Sequence, residues 1–241
     1  MAHKDFVLDD LQVAIYKRAG ARSLRLSVTA EGKVRVTIPS WSPFHAGLTF
    51  ARSRQDWIRA QIKPTIKLVP DQIIGKSHSL RFVPQPSGKK VTSRRRGTDV
   101  LIGYPASLSH EHTEVQAIAR KAAIRALRAQ SEQLLPPRLA ELAATHGFTY
   151  GSVSIKQLKS RWGSCDQLHN IVLNLYLVQL PWQYIDYVLL HELIHTRVLH
   201  HGPAFWNEFQ QVLPEAKRLR THMRHYQPTI HVLSDTDATL L

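Results

Sequence analysis

The sequence has little of what a secreted or membrane protein needs. Cys165 is the only cysteine among 241 residues, so no disulfide can form within the chain. No run of 18 apolar residues is present, and no apolar leader segment follows the first residues. These absences argue against a disulfide-stabilised secreted domain and against a membrane-spanning helix. We therefore expect a cytoplasmic protein that has no membrane partner.

Acidic residues are also scarce, and the shortage is local. The chain holds 32 Lys and Arg against 18 Asp and Glu, which gives a formal net charge of +14. Residues 1–97 hold 19 of these cations and only 6 of the acids, whereas residues 98–241 are nearly neutral. A basic region of this kind binds nucleic acid, binds an acidic protein, or is simply solvated. A solvated surface and nucleic-acid binding are the two leading interpretations.

The basic region shows the alternation that is typical of β-strands. Residues 23–28 and 33–38 each alternate apolar and polar side chains, and Ala30-Glu31-Gly32 between them predicts a hairpin turn. One face of the predicted sheet is cationic, because Arg25 and Arg35 are among the polar positions. The rest of this region is predicted to hold a helix around Pro43–Ile62, shorter strands, and a basic loop at 89–97.

Beyond residue 105 the pattern becomes mainly helical. Residues 109–146 have helical spacing that is interrupted by Pro136-Pro137, which predicts two helices. Residues 171–178 alternate as a strand that is either a core strand or the rim of a cleft. The segment after Pro228 lacks periodicity and is expected to be loosely ordered. The predicted regions are residues 1–105, 106–228 and 229–241.

The pattern that carries chemistry is His191-Glu192-Leu193-Ile194-His195. On a helix, His191 and His195 project from one face, so both imidazoles can reach one metal ion. Glu192 lies about 100° further round, where its carboxylate can reach the attacking water as a general base. The apolar back that would bury this helix is predicted to consist of Tyr187, Leu190, Leu193 and Ile194. The alternative is a surface helix with two solvated histidines.

A catalytic zinc ion usually takes three protein ligands and keeps one position for water, so a third ligand is needed. His201 is preferred, because Gly202-Pro203 breaks the helix and lets the chain turn back towards the metal. A continued helix would put His200 on the side away from His191. Glu208 is the carboxylate rival, although it also fits an ordinary solvated helix residue.

These residues stand in an order that resembles a known family. The resemblance is to the YgjP-like metallopeptidases, relatives of the SprT-like and Wss1-like (WLM) zinc proteases, and it is carried by Arg161-Trp162-Gly163-Ser164-Cys165, Asn170-Ile171, Pro181, the His191–His195 pentapeptide and His201-Gly202-Pro203-Ala204-Phe205-Trp206. The strong match covers about Ser154 to Tyr226. Val198 stands where the metzincins have a glycine, so the chain is not placed in that group.

The resemblance implies a zinc-dependent peptidase of the zincin type that acts on a protein or peptide. It implies one zinc ion per chain, held by His191, His195 and His201. It also implies that Glu192 is the catalytic acid/base.

Other residues near the motif are candidates for the substrate cleft. They are Arg161, Trp162 and Tyr226, although an aromatic side chain such as Trp162 more often packs beneath a sheet. Cys165 is interpreted as a small buried side chain rather than as a thiol near the zinc. The chemistry also requires an oxyanion donor. The candidates by side-chain chemistry alone are His222, His225 and Tyr226.

The predicted fold is an α+β fold of the zincin type, with an antiparallel strand-rich amino-terminal region and a carboxyl-terminal helical segment that carries the metal site. The predicted function is zinc-dependent hydrolysis of peptide bonds. The alternatives are a nucleic-acid-associated binding protein with an idle or structural metal site, and a protease that acts on DNA-bound proteins. Glu192 favours catalysis, because a structural zinc site usually fills all four positions with protein ligands.

Overall fold

The computed structural model describes residues 2–29, 32–61, 67–86 and 88–230. The predicted turn residues Ala30 and Glu31, the end of the predicted helix at Ile62, and most of the predicted loose tail, 231–241, lie outside the described residues. The chain divides into two compact units, residues 1–66 and 67–241, which we call the amino-terminal and the carboxyl-terminal unit. None of the described helices combines the length and the apolar character that crossing a membrane requires.

The amino-terminal unit is a four-stranded sheet with two helices. Its elements are β1 (His3–Leu8), β2 (Leu11–Arg18), β3 (Arg25–Val28), β4 (Val34–Pro39), α1 (Phe44–Ser53) and α2 (Gln55–Gln61). The strand order is β1-β2-β4-β3, with β2 and β4 parallel and the outer pairs antiparallel. Val13, Ile15 and Val36 are fully buried in one core with residues of both helices. The predicted hairpin strands are confirmed, within a mixed sheet rather than a purely antiparallel one.

The helix predicted around Pro43–Ile62 is two helices in the structure. Arg54 separates them in a non-helical conformation, with φ −117° and ψ 19°. The Ser53 hydroxyl donates to the Phe50 carbonyl over 2.9 Å. In a continuous helix that carbonyl would accept the amide of Arg54, so the side chain competes with the backbone at this point.

The carboxyl-terminal unit begins with a second mixed sheet that is covered by a long helix. Its first elements are β5 (Ile73–Ile74), β6 (His78–Gln85), β7 (Thr92–Arg96), β8 (Asp99–Pro105) and α3 (Thr113–His146). The strand order is β5-β6-β8-β7, with β6 and β8 parallel. Ala119, Ala122 and Ala126 of α3 share a core with Leu80 and Ile102 of the sheet. The sequence-based boundary at residue 105 therefore falls inside this unit.

The structure contradicts the prediction of two helices broken at Pro136-Pro137, because α3 is continuous through both prolines. The prolines lack the amides that would bond to the carbonyls of Glu132 and Gln133, which are exposed residues that water can reach. Leu135 and Leu139 on the other side are fully buried. Burial of this face outweighs the local loss of helix propensity.

A three-stranded sheet, a 3-10 helix and three α-helices complete the unit. They are β9 (Val153–Lys156), β10 (Gly163–Cys165), β11 (Ile171–Asn174), a 3-10 helix (Leu175–Gln179), α4 (Trp182–Ile194), α5 (Pro203–Val212) and α6 (Ala216–Met223). The strand order is β10-β11-β9. β11 has a neighbour on each side, antiparallel β10 and parallel β9, so it is a core strand and not the rim of a cleft.

The predicted strand over 171–178 stops at Asn174, which is fully buried. The Asn174 side-chain amide donates to the carbonyls of Leu158 and Arg161 over 2.9 and 2.8 Å. Its Oδ1 accepts the amide of Tyr176 over 3.2 Å and so caps the 3-10 helix. Residues 175–179 are all buried, which an alternating half-buried strand would not be.

Candidate active site

α4 carries the first part of the site. His191 and Glu192 lie in its last turn, and His195 is its C-cap. Leu190 and Leu193 are buried and hold the helix in the core, as predicted. The helix ends earlier than predicted, because both the amide and the hydroxyl of Thr196 bond to the Leu193 carbonyl, over 3.0 and 2.7 Å.

Three histidine side chains converge on one point. Nε2 of His191 lies 3.2 Å from Nε2 of His195 and 3.0 Å from Nε2 of His201, and the remaining pair is 3.1 Å apart. A tetrahedral zinc ion with Zn–N distances of about 2.0–2.1 Å places its ligand nitrogens ~3.3 Å apart. The three nitrogens therefore fit three corners of such a site. In the described part of the chain, no other group of three His, Cys, Asp or Glu side chains has metal-ligand spacing.

Neighbouring groups orient these rings. Nδ1 of His195 lies 3.1 Å from the Val198 carbonyl. A proton on Nδ1 donates to that carbonyl and leaves Nε2 free to bind a metal. The fully buried ring of Phe205 contacts all three imidazoles, with centroid distances of 4.8 to 4.9 Å. Nδ1 of His191 is buried and has no hydrogen-bond partner among the described residues.

The rivals for the third ligand position lie outside the cluster. His200 is exposed and does not join the three histidines. Glu208 of α5 pairs with Arg197 over 2.8 Å. His201 lies in the loop before Pro203, which begins α5 rather than ending α4. The structure thus brings together the three histidines that the sequence predicts as ligands.

Glu192 is buried beside these histidines, with only 4% of its surface exposed. Burial raises the pKa of its carboxyl to about 8, and the charge of Arg161 acts in the opposite direction. The Glu192 side chain packs against the backbone of Gly163 at the start of β10. A Cβ on Gly163 would lie 2.6 Å from Oε1 of Glu192 and 2.8 Å from its Cγ. Only a residue without a side chain allows strand β10 to come this close to Glu192.

A cavity of about 290 Å³ lies beside His191 and Glu192. Arg161 and Trp162, predicted as possible cleft residues, both line it. Trp162 is also half-buried against the hydrophobic core. Trp162 therefore both lines the cavity and packs against the core, as the two interpretations of the sequence suggest.

Further residues line this cavity that the sequence does not predict there. Tyr187 is buried in the core, as predicted, but it also lines the cavity, so its predicted place on the face away from the histidines is wrong. It precedes His191 by four residues, which puts the two rings on one face with centroids 6.1 Å apart. Arg220 and Arg224 also line the cavity. The local sequence has no signal for these two, because only the tertiary fold brings them to the site.

Two of the predicted oxyanion donors, His222 and Tyr226, contact Tyr184 of α4. Nδ1 of His222 is 3.2 Å from the Tyr184 hydroxyl, and the rings of Tyr226 and Tyr184 pack with centroids 5.3 Å apart. His225 is exposed. None of the three predicted donors lines the cavity at Glu192.

Cys165 is half-buried in β10 and packs against the core. Burial, followed by the negative charges of Glu192 and Asp166, raises the pKa of its thiol to about 11. A thiol with this pKa stays protonated at neutral pH, whereas a metal ligand is a thiolate. This agrees with the interpretation of Cys165 as a packed side chain.

Comparisons with known proteins find one family model and two solved structures. A family model described as YgjP-like, metallopeptidase domain, matches residues 22–226. The structure of the metallopeptidase zymogen abylysin of Pyrococcus abyssi is 25% identical over 41% of this chain and 100% of that chain, with a TM-score of 0.36. The metallopeptidase zymogen jannalysin of Methanocaldococcus jannaschii is 22% identical over 38% and 94%, with a TM-score of 0.34. A search of curated proteins finds no match.

Proposed function

The chain belongs to the YgjP-like metallopeptidase family, and from this membership we propose a zinc-dependent peptidase in which His191, His195 and His201 hold the metal and Glu192 is the general base. Membership makes the chain a metal-dependent protease, whose substrates are proteins or peptides. The observation that carries the finer proposal is the convergence of three Nε2 atoms, each within 3.2 Å of the others, beside a buried carboxylate.

The position of Glu192 beside the histidines and the raised pKa of its carboxyl support its role as a general base. A bound zinc ion supplies a Lewis acid that polarises the scissile carbonyl and acidifies the attacking water. Glu192 takes a proton from that water as the new C–O bond forms, and delivers it to the amine nitrogen as the C–N bond breaks. Burial raises the pKa of Glu192 above its usual value, which makes the carboxylate a stronger base than that of a solvated glutamate.

β10 supports the proposal as a place where an extended substrate can pair. One side of β10 pairs with β11, and no strand lies on its other side in the described part of the chain. Gly163 contacts Glu192, so a peptide paired with this edge would run close to the carboxylate. Main-chain hydrogen bonds of this kind give affinity with little demand on side-chain sequence. We assign to β10 the rim role that the sequence suggested for residues 171–178.

Glu192→Gln tests the mechanism, because it keeps the shape of the side chain and removes the base. We expect the wild type to hold one zinc ion per chain by elemental analysis and to cleave an unfolded protein. Glu192→Gln should keep the zinc and lose at least about 100-fold in kcat/KM. Glu208→Gln, a nearby carboxylate outside the cluster, serves as the matched control. Full activity of Glu192→Gln would remove Glu192 from the mechanism, and a metal-free wild type would overturn the ligand assignment.

A second candidate function is nucleic-acid binding, which one groove of the amino-terminal unit favours. The groove has a volume of about 650 Å³, and four arginines line it: Arg18, Arg22, Arg25 and Arg35. No acidic residue of the described chain lines the groove, and none of the four arginines forms an ion pair with a described carboxylate. Guanidinium groups bind phosphate oxygens through paired hydrogen bonds. We propose that this groove binds a nucleic-acid backbone.

A gel-shift series in rising salt tests the groove. Affinity should fall steeply with salt, and replacing both Arg25 and Arg35 by Gln should reduce the slope of log K against log salt by about 2. The control is the double replacement of Arg52 and Arg54 on α1 and its end, which removes the same charge outside the groove. Absence of binding at low salt, or an equal effect of both double variants, would leave the groove as a solvated surface.

A further inference from the structure

Three arginines line the cavity beside Glu192. Arg161 lies in the loop before β10, Arg220 lies in α6, and Arg224 is the C-cap of that helix. Arg220 and Arg224 are four residues apart, so they project from one side of the helix. Glu192 is the only acidic residue of the described chain that lines this cavity. The cavity therefore has an excess of positive charge from two separate elements.

None of these three arginines forms an ion pair with an acidic side chain among the described residues. Other arginines of the same unit do. The nearby pairs are Arg138–Asp186, Arg197–Glu208 and Arg218–Glu215. The contrast is sharpest within α6, where Arg218 is paired and Arg220, which faces the cavity, is not.

The Arg220 guanidinium stacks on an aromatic ring. It lies over Trp206, 4.7 Å from the ring centroid. Stacking of this kind holds a guanidinium group in place and leaves its in-plane N–H groups available as donors.

The chemistry of a guanidinium group selects its partner. It binds a carboxylate through two parallel N–H···O bonds, which are stronger than bonds between neutral groups. The three arginines are exposed to solvent, so paired hydrogen bonds, rather than burial of the charges, would supply the preference. A cationic side chain in the same place would meet like charges, which penalises basic substrates.

We propose that Arg161, Arg220 and Arg224 form a carboxylate-binding subsite, so that the enzyme prefers substrates with an acidic group close to the scissile bond. The group is either an Asp or Glu side chain or the free carboxyl terminus of the substrate. The inference rests on the proposed peptidase function, and it names the substrate class that the site would select.

Matched peptides test the preference in the zinc-loaded full chain. One series has blocked ends and differs only by Glu, Gln or Lys at each of three positions on either side of the cleaved bond. A second pair differs only by a free or an amidated carboxyl terminus. At the best position we expect kcat/KM for Glu to exceed that for Gln by about tenfold or more, and Lys to be the poorest. A preference for the free terminus alone would assign the subsite to the terminal carboxylate.

Variants connect the preference to the cavity. Arg224→Gln should reduce the ratio of the Glu to the Gln peptide severalfold, and Arg224→Glu should reverse it. Arg218→Gln removes the same charge from the same helix outside the cavity, and should leave the ratio unchanged. Equal ratios in the wild type and Arg224→Gln would overturn the assignment to these arginines.

A binding measurement separates this inference from the proposed function. Glu192→Gln protein loaded with zinc should bind the uncleaved Glu peptide about tenfold more tightly than the Gln peptide in fluorescence anisotropy. If the wild type cleaves no peptide but this difference is present, the peptidase proposal fails and the subsite stands. If the wild type cleaves and binds Glu, Gln and Lys peptides equally, the subsite is overturned and the peptidase proposal stands.

Discussion

Gly163, a residue without a side chain, packs against Glu192, the proposed general base. Its backbone touches the buried side chain of Glu192, where an added Cβ would approach Oε1, Cγ and Cδ to between 2.6 and 2.9 Å. Glu192 is 4% exposed, so its carboxylate has little free space into which it could withdraw. The close contact therefore sets the distance between β10 and the proposed general base.

Gly163→Ala should reduce kcat/KM by about 10- to 100-fold while leaving the zinc content unchanged. The added methyl group displaces the carboxylate by a fraction of an ångström, and small displacements of a catalytic group are costly. Gly202→Ala is the matched control, because a Cβ there meets nothing within 4 Å. Equal activity of Gly163→Ala and the wild type would show that Glu192 does not depend on this contact.

Lys76 predicts a pH dependence of stability. Burial lowers the pKa of its ammonium group from the usual 10.5 to about 8, although Nζ donates to the Leu180 carbonyl over 2.7 Å. The folded state thus releases this proton more readily than the unfolded chain. Stability from this group therefore increases as the pH rises from about 8 to 10.5, and it is flat below 8.

Urea unfolding of the wild type and Lys76→Met should show this difference directly. The free energy of unfolding of the wild type, relative to Lys76→Met, should increase between pH 8 and 10.5. Lys121→Met removes an exposed lysine of α3 and should show no such trend. A wild-type advantage that is constant over this range would mean that Lys76 titrates as a solvated lysine.

The convergence of the three histidines can be predicted from the sequence because their spacing is local. His191, Glu192 and His195 lie within five residues, and His201 follows at a turn, so spacing alone indicates that they meet. Arg220 and Arg224 are separated from Glu192 by two loops and a helix, and no local pattern marks them. The position of Tyr187 beside His191 could be predicted, because residues four apart lie on the same face of a helix.

At the scale of elements, tertiary packing outweighs local breakers. α3 continues through Pro136 and Pro137, although proline removes a hydrogen bond and costs about 3 kcal/mol in a helix interior. A sequence-based prediction cannot weigh this cost against the burial of Leu135 and Leu139 before the fold is known. Asn174 ends β11 for a similar reason, because its three hydrogen-bond partners become visible only in the folded chain.

Pro137→Ala should therefore stabilise the carboxyl-terminal unit by about 1–2 kcal/mol. Alanine restores an amide donor to the Gln133 carbonyl, which outweighs the roughly 1 kcal/mol lost when the unfolded chain becomes less restricted. Pro137 is exposed, so the change should disturb no core contact. Urea unfolding measures the effect, and an unchanged or lower midpoint would show that α3 is adapted to this proline.

At the scale of the whole molecule, the α+β class and the strand-rich amino-terminal part are predicted correctly. The boundary between the units was harder to place, because β5 to β8 resemble the earlier strands in composition but pack on α3. Each unit has its own hydrophobic core, and the two cores share no residue among those described. The units are therefore expected to unfold separately.

Equilibrium unfolding should show two transitions. Trp41 and Trp57 report on the amino-terminal unit in fluorescence, whereas Trp162, Trp182 and Trp206 report on the other. Because a ligand stabilises only the unit that binds it, a chelator should lower the midpoint of the carboxyl-terminal transition alone. His201→Ala should abolish the effect of the chelator, and a single transition for all tryptophans would contradict the separation.

The short length of β10 limits how strongly a substrate could pair with it. Its three residues span ~10 Å, so a partner strand gains only a few main-chain hydrogen bonds along this edge. If a substrate pairs with this edge as proposed, its main-chain binding is weak, and strands that are already paired in a folded protein cannot take part in it. On that proposal, cleavage should favour unfolded or damaged chains over folded ones.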